Sequence, residues 1–275
     1  MKTHGRRADP STISAGKGRR RATLLAAGLA LALPGVAFAA TTNVINGDPA
    51  DYRIRSSGTT GGATEQNSIL GQNSVGSYQN VVYVFELPAI GSTSMIESAT
   101  LIARANLSYG LVSTSAPPFH VDLWGIGIQS STTPIASYLH ADTDPSPSPS
   151  RVKLQNDWFT EGSVATGVSV TNTSLNSGGT TNLAIYLQSF YATNAGYSGG
   201  SYVFLRLNPD QNPGGSGAQS GWGMSMADNS TSSYRPILSL VLIDAIPEPS
   251  VLGALALAAT TLTLLRFRKN RGQNA

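Results

Sequence analysis

The chain has 275 residues, of which only 12% are charged, and it contains 29 glycines, 15 prolines and no cysteine. This composition excludes a coiled coil, which would be rich in Ala, Glu, Lys, Leu and Arg, and it excludes a disulfide-linked scaffold. The net charge of +3 comes from the two ends, since residues 40–246 hold 7 Lys and Arg against 13 Asp and Glu, and this excludes a basic nucleic-acid-binding domain.

The first 39 residues have the three parts of a secretory signal peptide. A basic region ends with three arginines at residues 19–21, and residues 22–36 form an apolar stretch. Ala37 and Ala39 then provide the small-x-small pattern that signal peptidase accepts, so we expect cleavage after Ala39. The alternatives are an uncleaved membrane anchor, against which Pro34 and Gly35 argue, and a twin-arginine signal, for which the wider sequence context is missing.

Residues 40–246 are predicted to form one β-rich domain. Apolar runs of strand length are separated by clusters of Gly, Pro, Asn and Ser, and none of them has a sustained helical period. The predicted strands include residues 81–87, 99–107, 119–128, 183–191, 202–207 and 236–243. Strands without intervening helices favour an all-β fold, a single β-sandwich or jelly roll, flanked by the N-terminal signal helix and a C-terminal transmembrane helix.

Two segments of this domain are predicted to be loops. Residues 142–150 alternate Pro and Ser and cannot enter a central strand, and residues 212–223 are rich in Gly. The first loop leaves open a division into two smaller domains. Because each half would contain few strands, a single domain is preferred.

Five short blocks of the domain resemble successive blocks of DNRLRE-type domains. They are residues 51–55, 69–71, 83–88, 95–101 and 233–238. That family consists of secreted β jelly rolls, some of which are related to carbohydrate-binding modules. The resemblance therefore implies a jelly-roll fold, although residues 141–170 depart from the family pattern.

Residues 247–275 combine three features at the C-terminal end. Pro247, Glu248 and Pro249 are followed by an uncharged apolar run over residues 251–265. The basic residues that come next are Arg266, Arg268, Lys269 and Arg271. As a helix the apolar run would span about 22 Å, which is marginal for a hydrocarbon core of about 30 Å, and the basic tail would stay on the cytoplasmic side.

This order of features resembles the PEP-CTERM sorting signal of Gram-negative bacteria. The resemblance implies that a membrane-embedded exosortase recognises Pro247, Glu248 and Pro249 and that the tail is processed near this motif. It also implies a link to exopolysaccharide and biofilm matrix. A plain tail anchor with a fortuitous Pro-Glu-Pro motif is the alternative.

Two motifs could carry catalytic chemistry, and each has a simpler interpretation. Residues 196–200 fit the G-x-S-x-G pattern of a hydrolase nucleophile elbow, but predicted strands on both sides favour a hairpin loop. His120, Asp122 and Trp124 lie on one face of a predicted strand. The His and the carboxylate could bind a metal or form a catalytic pair, but a polar outer face is the preferred interpretation.

Carboxylates give weaker signals for calcium and for glycosidase chemistry. Asp142 and Asp144 resemble the start of a calcium loop, but prolines and serines replace the later ligands, so no cofactor is expected and calcium bound elsewhere is left open. A pair of carboxylates roughly 5–10 Å apart would suit glycoside hydrolysis. The candidates are Glu86, Glu97, Asp157 and Glu161.

The best candidates for ligand binding are the three tryptophans, Trp222, Trp124 and Trp158. Aromatic faces on a β scaffold suit stacking against sugar rings. Gly221 and Gly223 flank Trp222 in the predicted Gly-rich loop, where a core role is less expected. Packing in the core is the alternative for each ring.

Together these features predict an exported, non-enzymatic protein of the cell surface or extracellular matrix. Its partners would be signal peptidase, an exosortase, the inner membrane through the C-terminal helix, and polysaccharide in a structural or adhesive role. One alternative is a secreted polysaccharide-active hydrolase or lyase, which a buried, strongly coupled carboxylate pair in a cleft would favour. Another is a self-assembling surface protein, which concentration-dependent oligomers would support.

Overall fold

The computed structural model describes residues 39–109, 120–139, 151–160, 171–194, 196–210 and 219–244. The predicted signal peptide up to Phe38 and the predicted sorting signal from Pro247 onwards lie outside these ranges, as do Asp142, Asp144 and Glu161. Within the described ranges, no helix is both long enough and apolar enough to cross a membrane.

The described residues form twelve β-strands, one α-helix and one short 3-10 turn. The helix, α1, spans Ser177–Thr193, and the 3-10 turn spans Ser232–Tyr234. The strands are β1 Ala39–Asn46, β2 Tyr52–Arg55, β3 Thr60–Gly61, β4 Asn67–Ser74, β5 Ser77–Glu86, β6 Ser94–Tyr109, β7 His120–Gln129, β8 Val152–Thr160, β9 Thr171–Ser174, β10 Tyr202–Pro209, β11 Ser220–Ser225 and β12 Ile237–Asp244.

All twelve strands belong to one antiparallel sheet, which confirms the prediction of a mostly β fold. The main path of the sheet runs β1-β12-β6-β11-β4-β5-β10-β7-β8, with β2 and β9 paired to β5 and β6 beside it. At one edge, β1 and β12 pair along their full length, so that Ala39 lies opposite Asp244. The first and last described strands are therefore neighbours.

The central strands β5, β7 and β10 are covered on both faces. In β5, Tyr83 and Phe85 belong to the larger core cluster, whereas Val82 and Val84 belong to a second cluster on the other face. A strand that is buried on both faces needs apolar residues at every position. This requirement explains the unbroken apolar run that predicted a strand over residues 81–87.

The predicted polar outer face of β7 is wrong. Asp122 is fully buried and Trp124 is only 5% exposed. Their face of the sheet belongs to the second cluster, which also contains residues of β2 and of the segment from Ile135 to Leu139. The alternation of side chains along β7 therefore separates two buried environments.

Residues 183–191 were predicted as a strand but lie in α1. The strands therefore do have an intervening helix along the chain, between β9 and β10. Asn176 caps this helix, because its Oδ1 accepts a hydrogen bond from the N–H of Gly179 at 2.8 Å. Leu183, Leu187 and Tyr191 recur every four residues and are buried. This spacing is typical of the inner face of a helix. The strand prediction considered only the apolar content of the segment and not this spacing.

Candidate functional site

All three tryptophans that were predicted as ligand contacts are buried in the core. Trp222 has no exposed surface, Trp124 is 5% exposed and Trp158 is 7% exposed. Trp222 packs edge-to-face on Phe159 with ring centroids 4.9 Å apart, and the Nε1 of Trp158 donates to the carbonyl of Ser174 at 3.0 Å. In this conformation none of the three rings presents an open face on which a sugar could stack.

Trp222 lies in β11, so residues 220–223 of the predicted Gly-rich loop are strand. β11 is an inner strand that pairs with β4 on one side and β6 on the other. A Cβ at Gly221 would overlap the carbonyl oxygen of Leu70. The glycine beside Trp222 therefore permits a close approach of two strands and does not mark a loop.

Three side chains that lie in or directly beside three different strands form a cluster, hereafter the His–Asp–Asp cluster. They are His120, Asp157 and Asp210. His120 begins β7, Asp157 lies within β8, and Asp210 directly follows β10. One ligand atom from each side chain lies within 4.8 Å of the other two. His120 Nδ1 and Asp157 Oδ1 are 2.6 Å apart, and the N–H of Asp210 donates to the carbonyl of His120 at 3.1 Å.

Asp122, which the sequence analysis paired with His120, lies beside this cluster and holds the backbone of Asp157. Its Oδ1 accepts a hydrogen bond from the N–H of Asp157 at 2.9 Å, and its Oδ2 lies 2.8 Å from Lys153 Nζ. Asp157 has a φ of 49°, and the β7–β8 register shifts at this point. A bulge of this kind redirects a side chain, here that of Asp157 toward His120.

Ser198, in the G-x-S-x-G motif, lies in the segment between α1 and β10. A nucleophile elbow requires a strand followed by a helix, and here a helix is followed by a strand, so the elbow geometry is not formed. The predicted hairpin loop is also wrong, because a helix and not a strand precedes the loop. His120 pairs with the opposite end of β10, about 23 Å along that strand. Ser198 and His120 therefore cannot form a catalytic pair.

A polar cleft of about 590 Å³ lies between β1 and the ends of β5 and the 196–200 loop. The polar residues that line it include Asn43, Asn46, Asp48, Glu86 and Ser198, and apolar residues such as Leu87 and Pro88 complete the lining. Carboxylates, amides and a hydroxyl group provide both donors and acceptors of hydrogen bonds. Glu86 was already a candidate carboxylate from the sequence. The cleft itself could not be identified from the sequence, because the other residues that line the cleft come from separate segments of the chain.

Asp51 is a carboxyl group in the interior of the domain. Burial raises its pKa from the usual 3.8 to about 7; the hydrogen bond from the N–H of Ala227 lowers the pKa, and the nearby carboxylates of Asp228 and Asp48 raise it. The oxygen Oδ2 accepts the Ala227 bond at 2.6 Å. Asp51 has no exposed surface and is not among the residues that line the polar cleft.

No protein-family model matches this chain, and no curated protein matches it significantly. The resemblances to DNRLRE-type domains and to the PEP-CTERM signal therefore rest on the residues quoted above. The function must be argued from the sequence signals, the strand arrangement and the two polar sites.

Proposed function

We propose that this chain is an exported protein of a Gram-negative bacterium, sorted by an exosortase and retained at the cell surface or in the extracellular matrix. Its role is structural or adhesive, and polysaccharide is its partner. The protein acts by binding and not by catalysis. The supporting observation is the position of the β domain relative to the two predicted signals.

The β domain fits between the two predicted signals without loss of a core strand. The first described residue of β1 is Ala39, after which cleavage is predicted, and the last described residue of β12 is Asp244, three residues before Pro247. Since Ala39 lies opposite Asp244, the chain enters and leaves the sheet at the same place. Such a domain can be released at both ends and still keep its sheet.

The finer fold that we propose is a jelly roll, in which the sheet curls into two layers. Leu240 of β12 and Leu205 of β10 belong to the same core cluster, although four strands separate β12 from β10 along the sheet path. In a flat sheet these strands would be about 24 Å apart. The continuity of one cluster across these strands supports a sheet that curls around a shared core, as in the secreted domains that the sequence blocks resemble.

We propose the polar cleft beside β1 as the place where a polysaccharide binds. The three tryptophans are buried, so recognition would depend on hydrogen bonds with sugar hydroxyls. The carboxylates of Asp48 and Glu86 would accept these bonds, and the amides of Asn43 and Asn46 would donate or accept them. Sites of this kind fix a polar ligand with a few convergent polar groups. Glu86 lies directly opposite Tyr202 in the β5–β10 register, at the end of β5 that borders the cleft.

Sorting is tested by expressing the full chain with a C-terminal epitope in a bacterium that has an exosortase. The wild-type protein is expected to lose the epitope and reach the extracellular fraction. Glu248→Ala is expected to keep the epitope in the membrane fraction, whereas Glu97→Ala, on the exposed surface of β6, should behave as wild type. Equal behaviour of Glu248→Ala and wild type would contradict the sorting proposal.

Glycan binding is tested with the full chain in detergent against a panel of polysaccharides that includes the host's own matrix, with and without calcium. Saturable binding that falls at least tenfold in Glu86→Gln and is unchanged in Glu97→Gln would support the cleft. Equal binding by both variants would show that the glycan site does not include Glu86 and lies outside the cleft. An absence of binding to every polysaccharide would overturn the adhesive role.

A second candidate function is self-assembly, and the edge strand β1 favours it. Among the described strands, β1 pairs only with β12, and it carries no charged residue. Val44 in this strand is 62% exposed. An uncharged edge strand is a template for pairing with another chain, so concentration-dependent oligomers that Val44→Lys abolishes would support this function.

A further inference from the structure

We propose that the His–Asp–Asp cluster binds one divalent transition-metal ion, of the class of Zn²⁺ or Mn²⁺. The three side chains come from separate strands, and one ligand atom of each lies within 4.8 Å of the other two. Metal–ligand distances of about 2.1 Å require ligand atoms about 3.4 Å apart. His120 Nδ1 and Asp157 Oδ1, now 2.6 Å apart, would therefore separate slightly when an ion enters between them, and the longer distances in the cluster, all within 4.8 Å, would shorten.

The donor set selects the class of ion. One imidazole nitrogen and two carboxylate oxygens suit Zn²⁺ or Mn²⁺, whereas Ca²⁺ takes six to eight oxygen ligands. Three protein ligands leave coordination positions for water or for an oxygen of a bound molecule. His120 and Asp157 are partly exposed, with 26% and 40% of their side-chain surfaces accessible, so an ion can enter from solvent.

The side chain of Asp157 is held in place by groups that would remain bound when the ion enters. Asn156 Nδ2 donates to Asp157 Oδ2 at 2.7 Å, and Lys153 Nζ donates to Asn156 Oδ1 at 2.9 Å. The backbone N–H of Asp157 is fixed by the buried Asp122 at 2.9 Å. Contacts of this type around a metal ligand fix its orientation and raise the affinity for the ion.

The simpler interpretation is that His120 and Asp157 form an ordinary surface ion pair in which Asp210 has no part. The two interpretations differ in the effect of Asp210→Asn, which leaves the His120–Asp157 pair intact. Asp157→Asn is the matching change at the other carboxylate. Asparagine tolerates the left-handed backbone at this position, so the bulge should survive the substitution.

The test is a titration of the full chain, purified in detergent without a histidine tag, with Co²⁺ followed by its visible absorption and with Zn²⁺ followed by calorimetry. The wild-type protein is expected to bind one equivalent of each ion. Asp157→Asn and Asp210→Asn should each weaken binding at least tenfold, and His120→Gln should remove the nitrogen contribution to the Co²⁺ spectrum. His140→Gln and Glu97→Gln are the controls and should bind as wild type.

The site is overturned if the wild-type chain shows no saturable binding of either ion. It is also overturned if Asp210→Asn binds as tightly as wild type, or if His140→Gln loses binding and His120→Gln keeps it. Thermal unfolding separates folding from ligation. Zn²⁺ should raise the Tm of the wild-type protein and leave that of a folded Asp210→Asn protein unchanged. These outcomes do not depend on sorting or on glycan binding.

Discussion

The two halves of the sheet differ in how many of their faces are covered. In β10, residues 203–209 are all buried, whereas in β12 buried and half-buried residues alternate. The half that contains β5, β7 and β10 has a core cluster on each face, and the half that contains β12 has one on a single face. The difference arises because the half that contains β5, β7 and β10 is covered on the face that carries the second cluster, whereas the corresponding face of β12 is only half-buried.

The second face is covered largely by the segment from Ile135 to Leu139, which is a loop and not a second sheet. The polar backbone groups of a buried loop need partners. Asn80 bonds both the N–H and the carbonyl of Leu139, and Arg206 Nη1 donates to the carbonyl of Ser137 at 2.5 Å. Buried polar side chains on this half of the sheet therefore hold the covering loop.

The largest expected effect compares outward-facing positions in the two halves. Phe204→Ala removes a ring with no exposed surface from the second cluster and should lower the free energy of unfolding by about 3–5 kcal/mol. Val241→Ala, on the half-buried face of β12, should lower it by less than about 1 kcal/mol. Urea denaturation of both variants measures the two values, and similar values would contradict the difference between the halves.

The next effect tests the polar attachment of the covering loop. Asn80→Ala removes hydrogen bonds to both polar backbone groups of Leu139 and to the carbonyl of Leu207, all of which are buried. We expect a loss of about 2–4 kcal/mol of unfolding free energy, because buried backbone groups are left without partners. Asn43→Ala, in the edge strand β1, is the matched control and should change stability by less than about 0.5 kcal/mol.

Most of the strands with apolar residues could be predicted from the sequence. The predicted runs at residues 81–87, 202–207 and 236–243 correspond to β5, β10 and β12. β8 was not predicted, because its sequence includes Lys153, Gln155, Asn156 and Asp157. Those polar residues belong to the bulge and its contacts, and their arrangement depends on β7.

The candidate metal site could be predicted only in part. His120 was recognised beside Asp122, but Asp122 turned out to be a buried supporting residue. The residues that lie beside His120 in the cluster are Asp157 and Asp210, which are distant in sequence and meet only because β8 and β10 both pair with β7. Strand pairing is set by the whole core, so no local pattern could have identified this set.

A pH dependence provides a third test within the half of the molecule that contains β2 and β5. Asp51 has a pKa raised by burial to about 7 in the folded protein, against 3.8 for the exposed group. Between these values the folded state binds more protons than the unfolded state, so stability should fall as the pH rises from about 4 to 7, by at most about 1.4 kcal/mol per pH unit.

Asp51→Asn isolates this contribution, because its amide oxygen can still accept the N–H of Ala227. The variant should lose the decline in stability between pH 4 and pH 7 that is due to this group. Urea denaturation of wild type and Asp51→Asn at several pH values measures the difference in slope. Parallel curves for the two proteins would show that Asp51 titrates normally in the folded state.

The smallest expected effect concerns α1, which contacts both halves of the sheet. Its N-terminal part is attached to β8, since Asn182 Nδ2 donates to the carbonyl of Leu154 at 2.9 Å and the N–H of Asn176 donates to Gln155 Oε1 at 3.0 Å. Its last turn is attached near β5, where the Tyr191 hydroxyl donates to the carbonyl of Pro88. The two ends of the helix can therefore be loosened separately.

Asn176→Ala removes the acceptor for the N–H of Gly179 and should cost about 1 kcal/mol of stability. Because only the first turn loses a bond, amide exchange should become faster at Gly179 and Thr180 and stay unchanged around Tyr191. Asn176→Ser, which restores a capping oxygen, should recover most of the loss. Faster exchange along the entire helix would mean that α1 opens as one unit, and that the attachment of its last turn does not act independently of the cap.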